Sequence, residues 1–244
     1  MSTPTETRKA RERREREEQI LVAGRRLLLE RGYLGLTMDR VAEAVEYSKG
    51  TVYQHFSCKE SLLAALAMGT MEERARMFER ASTFSGSPRE RMSAIGIAEE
   101  LFVQLKPEHF RACQIIEAES FQEKMSRPSV EAVHAREFRC KQIVDGIARD
   151  GVAQGDLDLP QGTSVAELTM GLYSLYTGFF SLYLGGTPFA EMGIEHPIQM
   201  LRTNAHRLLD AWGWQPLSTD WDYAATHQRI LDEVFSDEAR RLGA

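Results

Sequence analysis

Residues 48–59 read SKGTVYQHFSCK, and this stretch decides the fold of the N-terminal region. The helical period places Val52 and Phe56 on one face of the segment and polar and aromatic side chains on the other, as in a helix that lies on DNA. A short amphipathic helix precedes it, indicated by four apolar residues: Met38, Val41, Ala42 and Val45. Residues 46–48 form a tight connection between the two, so the sequence predicts a helix-turn-helix.

The distribution of charge separates this region from the rest of the chain. The 244 residues carry a formal net charge of −6. Residues 1–60 contain 12 Lys and Arg against 10 Asp and Glu, whereas the remainder contains 18 against 26. The helix-turn-helix is therefore the basic part of an acidic protein. This suits DNA binding by one module without non-specific adhesion of the whole surface.

Composition limits the class of protein and its compartment. The hydrophobic fraction of 43% and the charged fraction of 27% are typical of a globular protein with one large or two modest domains. The three cysteines, Cys58, Cys113 and Cys140, include no close pair, which indicates a reducing compartment. The first residues lack the apolar core of a secretory signal. We therefore expect a cytoplasmic protein.

One segment has the length of a membrane-spanning helix, because residues 168–190 carry no formally charged side chain. Acidic residues border this segment, and the glycines and proline of residues 185–188 would break the helix before it crossed a bilayer. We therefore predict a helix buried on more than one side, and no membrane association.

The periodic segments have the helical period, without sustained two-residue alternation, which predicts an all-α fold. We expect three regions: a charged, frayed arm over residues 1–12, a three-helix head with the helix-turn-helix over residues 13–62, and a larger helical domain over residues 63–244. The basic residues of the arm either follow DNA phosphates or, with the glutamates between them, form a solvated charged helix.

A heptad pattern follows the uncharged helix. Spacings of 3, 4, 3 and 4 join five residues: Ile198, Leu201, Ala205, Leu208 and Trp212. Such a seam suits packing against a partner helix. Together with Tyr183 of the uncharged helix, these residues predict a homodimer formed through a four-helix bundle.

No combination of residues indicates catalysis. The sequence has no phosphate-binding loop, no dinucleotide fingerprint and no nucleophile with an evident base, so we predict no enzyme and no cofactor. His109, Cys113, His134 and Cys140 match no compact zinc motif, and we predict no metal site. Two alternatives stay open: a regulator that senses oxidants or metals through its cysteines, and a helical enzyme or scaffold with an incidental helix-turn-helix.

Three stretches carry a family resemblance: LTMDRVA at residues 36–42, SKGTVYQHF at residues 48–56 and KESLL at residues 59–63. They resemble the N-terminal signature of the tetracycline-repressor (TetR) family. The resemblance implies a homodimeric repressor that binds a palindromic double-stranded DNA operator and is released by a small-molecule effector. It also implies that residues 63–244 form the effector-binding and dimerisation domain.

The resemblance assigns DNA contacts to eight residues: Thr37, Lys49, Gly50, Thr51, Tyr53, Gln54, His55 and Lys59. Thr37 and Lys59 stand at helix N-termini, where a phosphate is favoured. Gly50 removes a side chain where backbone must approach the duplex, and the amide of Gln54 suits the edge of adenine.

The effector pocket is expected among aromatic residues of the larger domain. The candidates are Phe102, Phe110, Phe121, Phe138, Tyr173, Tyr176 and Phe180. Tyrosine hydroxyls among the rings indicate a ligand that is mostly apolar and carries one or two polar groups.

Two positions depart from the family pattern. Glu46 stands in the turn, where the family usually has glycine, and a left-handed backbone there would cost about 1 kcal/mol. Its negative charge would also lie close to DNA. Cys58 replaces a common serine, either as a small residue in the first turn of a helix or as an oxidisable group beside the DNA.

Overall fold

The computed structural model describes residues 8–117 and 127–243, and every regular element in these two ranges is a helix. The predicted all-α fold with an N-terminal helix-turn-helix is therefore confirmed. The first helices are α1 (Arg8–Gly35), α2 (Met38–Ala44), α3 (Lys49–His55) and α4 (Lys59–Ser82). The others are α5 (Pro88–Leu105), α6 (Pro107–Glu117), α7 (Arg127–Gln154), α8 (Val165–Leu184), α9 (Pro197–Ala211), α10 (Tyr223–Glu233) and α11 (Ser236–Leu242).

The chain divides into two compact units, each built from two stretches of sequence. The head unit comprises the chain up to Met71 together with Glu108–Ala135, and the body unit comprises Glu72–Pro107 with Arg136–Ala244. This division differs from the predicted boundary at residue 62. The reason is that Ala112 of α6 and Val133 of α7 are buried in the same apolar core as the helix-turn-helix.

The core of the head unit is formed by the apolar faces of its helices. Ile20, Val41, Val52 and Leu62, from α1 to α4 in turn, are fully buried. Burial of each such side chain contributes about 1.5–3 kcal/mol. Helices as short as α2 and α3, with 7 residues each, are not stable alone in water, so this shared core is what holds them in place.

The first described residues are already helical. α1 begins at Arg8, whose Nε lies 2.8 Å from Oε1 of Glu12 one turn later. Residues 8–12 are thus a turn of charged helix, in contrast to the expected frayed arm, because glutamates four residues on partner the basic side chains. Residues 1–7 of the predicted arm lie outside the described residues.

In the body unit, α5 packs against α10 and α11, and α8 packs against α9. A capping box starts α5, with the Ser87 and Glu90 side chains each bound to the other residue's backbone N–H. α8 buries Leu168, Leu172 and Phe180 but leaves other apolar residues exposed. Nowhere in the described ranges does a helix combine the length and the apolar character needed to cross a bilayer.

Candidate functional site

α3 presents a polar face to solvent and an apolar face to the head core. Lys49, Gly50, Tyr53 and Gln54 are exposed, whereas Val52 is fully buried. The helix starts at this register because the Ser48 hydroxyl accepts a hydrogen bond of 3.1 Å from the Thr51 backbone N–H. The four exposed residues lie at i, i+1, i+4 and i+5 and therefore share one side of the helix.

Thr37 is a further predicted DNA contact beside this face, and Lys49 on the face has an acidic neighbour. The Thr37 hydroxyl caps α2 by accepting a hydrogen bond of 3.3 Å from the Arg40 N–H, which leaves its own hydrogen available to a phosphate. Nζ of Lys49 lies 2.6 Å from Oδ2 of Asp39, and this hydrogen bond raises the pKa of Lys49. An ammonium group has three donors, so Lys49 retains donors for a phosphate.

His55 and Lys59, which are also predicted DNA contacts, do not belong to the exposed face of α3. The His55 side chain is only 7% exposed, and its Nδ1 lies 3.7 Å from Oε2 of Glu17 on α1. His55 lies three residues after Val52 and thus on the core side of α3, so its imidazole is not part of the exposed face. Nζ of Lys59 lies 4.0 Å from the ring centroid of Tyr33, which holds the ammonium over that ring.

Gly50 is not explained by packing within the chain. A Cβ placed at this position would meet only the Ser48 hydroxyl oxygen, at an ordinary contact distance of 3.8 Å. Glycine inside a helix costs about 1 kcal/mol relative to alanine. The absence of a side chain at this exposed position therefore suits close approach by a binding partner.

Glu46, which departs from the family pattern, lies in the turn between α2 and α3. Glu46 has a φ of 56°, in the left-handed region. The Tyr47 N–H donates to the Ala42 carbonyl at 3.0 Å and the Glu46 N–H to the Glu43 carbonyl at 3.2 Å. These two bonds form a Schellman motif, in which the left-handed position is usually glycine. The turn therefore has the usual backbone geometry of a Schellman motif. Glu46 is strained in it because a residue with a side chain takes the left-handed position.

We expect Glu46→Gly to raise the free energy of unfolding of the head by about 1 kcal/mol relative to Glu46→Ala, because only glycine adopts this conformation without strain. Urea denaturation of both variants measures the difference. Both variants remove the negative charge, so both should bind DNA more tightly than the parent chain. Equal stability of the glycine and alanine variants would contradict the strain at this turn.

The body unit contains a cavity of about 370 Å³. Helices α4, α5, α7, α8, α9 and α10 line it, largely with apolar side chains such as Phe78, Met92, Ile95, Leu172 and Leu209. This volume is at the lower end of the range for small-molecule sites.

The cavity also has a polar wall. Arg74 Nε lies 2.5 Å from Glu99 Oε2, and Arg202 Nε lies 2.7 Å from Oε2 of Glu100 behind the lining. Burial, together with the charge of Arg89, lowers the pKa of His206 to about 4. Burial, together with Arg202 and His206, lowers the pKa of His227 to about 4. Both imidazoles are therefore neutral at pH 7.

Of the aromatic residues predicted for the pocket, Tyr173 and Tyr176 line this cavity. Phe102 and Phe180 are buried in the apolar core of the body unit, and Phe110 belongs to the head unit. Phe138 is exposed, and Phe121 lies outside the described residues. Helical aromatics serve packing as readily as ligand binding, so the sequence pattern alone did not separate the two roles.

Sequence reasoning missed the two histidines and both ion pairs of the polar wall. His206 and His227 are on α9 and α10, and Arg202 lies one turn before His206. The spacing of Arg202 and His206 was a usable signal, because residues four apart share a helix face. No local signal joined them to Glu99, Glu100 or His227, which lie far away in the sequence.

In the structure, some residues of the predicted dimer seam are buried within the chain and others are partly exposed. Leu201 is 1% exposed and Ala205 is also buried, so both contact the interior of their own chain and neither is available to a partner. Tyr183, Ile198, Leu208 and Trp212 are partly exposed. At Leu201 and Ala205 the heptad pattern therefore marked the face of α9 that covers the chain's own core and cavity.

The three cysteines form no disulfide with one another in the described residues. Burial raises the pKa of Cys140, which disfavours the reactive thiolate, and Cys58 and Cys113 are half-buried. Across residues 8–117 and 127–243, no three His, Cys, Asp or Glu side chains converge as a metal site would require. The set His109, Cys113, His134 and Cys140 is accordingly not brought together as a site.

Comparison with known proteins identifies the head. Residues 20–66 match the family model described as "Bacterial regulatory proteins, tetR family". Over 64 residues the chain is 45% identical to the HTH-type transcriptional repressor AcnR of Corynebacterium diphtheriae, covering 26% of this chain and 32% of that protein. The chain thus spans about a third of the length of this relative.

Solved structures extend the likeness to most of the fold. The TetR family transcriptional regulator PfmR from Thermus thermophilus has a TM-score of 0.62 at 20% identity, covering 78% of this chain and 97% of that one. A bacterial regulatory protein in the tetR family from Rhodococcus RHA1 has a TM-score of 0.63 at 16% identity, covering 81% and 97%. The head is thus similar in sequence to the TetR family of bacterial regulatory proteins, and the helices beyond it share the fold of these two solved structures.

Proposed function

We propose that this protein is a cytoplasmic, ligand-responsive, DNA-binding transcriptional regulator that acts as a homodimeric repressor, and that it is not an enzyme. The observation that carries the proposal is the exposed face of α3, where Lys49, Tyr53 and Gln54 surround a glycine for which the chain itself has no steric need. Such a face fits the major groove, with the Gln54 amide reading a base edge and Lys49 contacting phosphate. The similarity of the head to that of the repressor AcnR supports repression.

Regulation would come from the cavity of the body unit. Arg74 and Phe78, which line the cavity, belong to α4, and the same helix begins in the head unit at Lys59. A small molecule that binds one arrangement of α4 better than another shifts the population between them. Release from the operator then follows from this difference in affinity between the two states.

Footprinting on DNA next to the protein's own gene tests the proposal. We expect protection of two symmetric half-sites about one helical turn apart, and affinity that falls steeply as salt rises because lysine and arginine displace counterions from the phosphates. Gln54→Ala should weaken binding at one base position, by about 1–3 kcal/mol. The absence of any footprint at low salt would remove the proposed function.

The dimer would form through α8. Met170, Ser174, Gly178 and Leu182 are exposed and four residues apart, and no charged residue follows Glu167 on this helix. This stripe is apolar or small along its length, which permits the close approach of a second copy of the same helix. The partly exposed Tyr183 and Leu208 extend the surface.

We expect Leu182→Glu to dissociate the dimer without unfolding the chain, because this side chain is 55% exposed in the single chain and a glutamate remains solvated in the monomer. Analytical ultracentrifugation measures the oligomeric state, and circular dichroism measures the fold. Val152→Glu on the exposed side of α7 is the matched control and should stay dimeric. A dimer that survives Leu182→Glu would place the interface elsewhere.

A further inference from the structure

We propose that the cavity of the body unit selects an uncharged, mostly apolar ligand whose hydroxyl or carbonyl group is hydrogen-bonded by Tyr176, His206 and His227. The inference rests on the proposed function only for the role of this ligand as the effector. Binding itself is a property of the cavity and is measured without DNA.

The charged side chains of the cavity form ion pairs, so their charges compensate each other. Arg74 is paired with Glu99, and Arg202 with Glu100, through contacts in which a guanidinium meets a carboxylate. Each pair brings one positive and one negative charge to the same part of the wall. Within the described part of the chain, these pairs therefore offer neither a free cation to a carboxylate ligand nor a free anion to an ammonium ligand.

Three neutral polar side chains remain for a ligand. Among the described residues, Nδ1 of His206 is buried without a hydrogen-bond partner, and the Tyr176 and His227 side chains line the same cavity. Burial raises the pKa of Tyr176 and lowers the pKa of His206 and of His227 to about 4, so all three side chains are uncharged at pH 7. The three groups belong to α8, α9 and α10 and line the same cavity as Arg202.

A glycine on the facing helix leaves room for the Tyr176 hydroxyl. A Cβ placed at Gly96 of α5 would collide with the Tyr176 hydroxyl. Gly96 also lines the cavity, so the hydroxyl lies at its edge. A ligand oxygen at this place could accept a hydrogen bond from the Tyr176 hydroxyl.

The neutral imidazoles of His206 and His227 also favour an uncharged polar group on the ligand. A neutral histidine both donates and accepts one hydrogen bond, which matches a hydroxyl or a carbonyl. The remaining wall, including Phe78, Ile95 and Leu172, suits an apolar body. A charged headgroup would lose its hydration on this wall and find its counter-ions already paired, which disfavours its binding.

Three probes that share a decyl chain test the inference: 1-decanol, decanoate and decylammonium. Isothermal titration of the full chain at pH 7.5 should give one 1-decanol per chain, bound at least about tenfold more tightly than either charged probe. Equal or tighter binding of decanoate or decylammonium would overturn the proposal, as would the absence of binding by all three.

Variants locate the bound headgroup. Tyr176→Phe removes only the hydroxyl and should weaken 1-decanol binding about fivefold, the effect of one hydrogen bond. His206→Leu should weaken it by a similar factor. The matched controls are Tyr47→Phe and His134→Leu in the head unit, which should bind 1-decanol as the parent does. Unchanged binding in both Tyr176→Phe and His206→Leu would overturn the assignment.

Operator binding separates the two proposals. If the footprint is present and 1-decanol shows no preference over the charged probes, the ligand class is wrong and the regulator function stands. If 1-decanol is preferred and no footprint exists, the cavity assignment stands and the proposed function is wrong.

Discussion

Gly50→Leu is expected to reduce affinity for the operator by more than about a hundredfold while leaving the fold intact. The side chain would project from the exposed face of α3, where only the Ser48 hydroxyl is within reach in the chain itself. Leucine favours a helix more than glycine does, so the head should be as stable as before or slightly more stable. On DNA, the same side chain would hold the backbone away from the phosphates, and several contacts would lengthen together.

Fluorescence anisotropy with labelled operator DNA measures the affinity, and thermal denaturation of the same samples measures the fold. Gly69→Leu is the matched control, because Gly69 is an exposed glycine within α4 and a Cβ there would meet nothing within 4 Å. Gly69→Leu should keep its affinity for the operator. If Gly50→Leu binds as tightly as the parent chain, α3 does not approach the DNA at this residue.

Arg89→Ala is expected to lower the free energy of unfolding of the body unit by about 3 kcal/mol, the lower end of the cost of breaking a buried ion pair. The Arg89 side chain is 0% exposed. Its guanidinium donates to the carboxylate of Asp210, to the Trp214 carbonyl and, at 3.3 Å, to the His206 carbonyl. Removing it takes this donor from all three acceptors and opens a void beside the Tyr223 ring.

Urea denaturation followed by far-ultraviolet circular dichroism measures this loss. Arg91→Ala, two residues along α5, is the matched control. Arg91 Nη2 lies 3.0 Å from Asp150, whose side chain is half exposed, so losing this pair should cost at most about 1 kcal/mol. Equal losses in the two variants would show that burial of Arg89 contributes nothing beyond an ordinary surface pair.

The head illustrates what local sequence can predict. The residues that cap α3, pack against the head core and form the exposed face are consecutive. One short stretch of sequence therefore predicts most of the structure of this helix. The strained turn at Glu46 was also predictable, because the Schellman motif places one residue in the left-handed region. His55 was the exception. Its burial depends on tertiary packing, in which its Nδ1 lies 3.7 Å from Oε2 of Glu17 on α1, a residue remote in sequence.

The body illustrates the opposite case. The heptad on α9 correctly indicated an apolar stripe, yet Leu201 faces the chain's own core. Leu201→Glu should therefore unfold the body unit, whereas Leu182→Glu should separate two folded copies. A periodic pattern reports that a face is buried and does not identify what covers it.

The sequence by itself determined the helical fold class, the helix-turn-helix and most of the residues of α3 that are exposed, because these follow from spacings within one or two turns of helix. Only the tertiary structure decided which residues line the cavity and that its charges are paired. Arg202 meets Glu100, and His206 approaches His227, across long separations in the chain. Such contacts depend on how helices pack, and packing is set by many weak interactions that no short stretch of sequence contains.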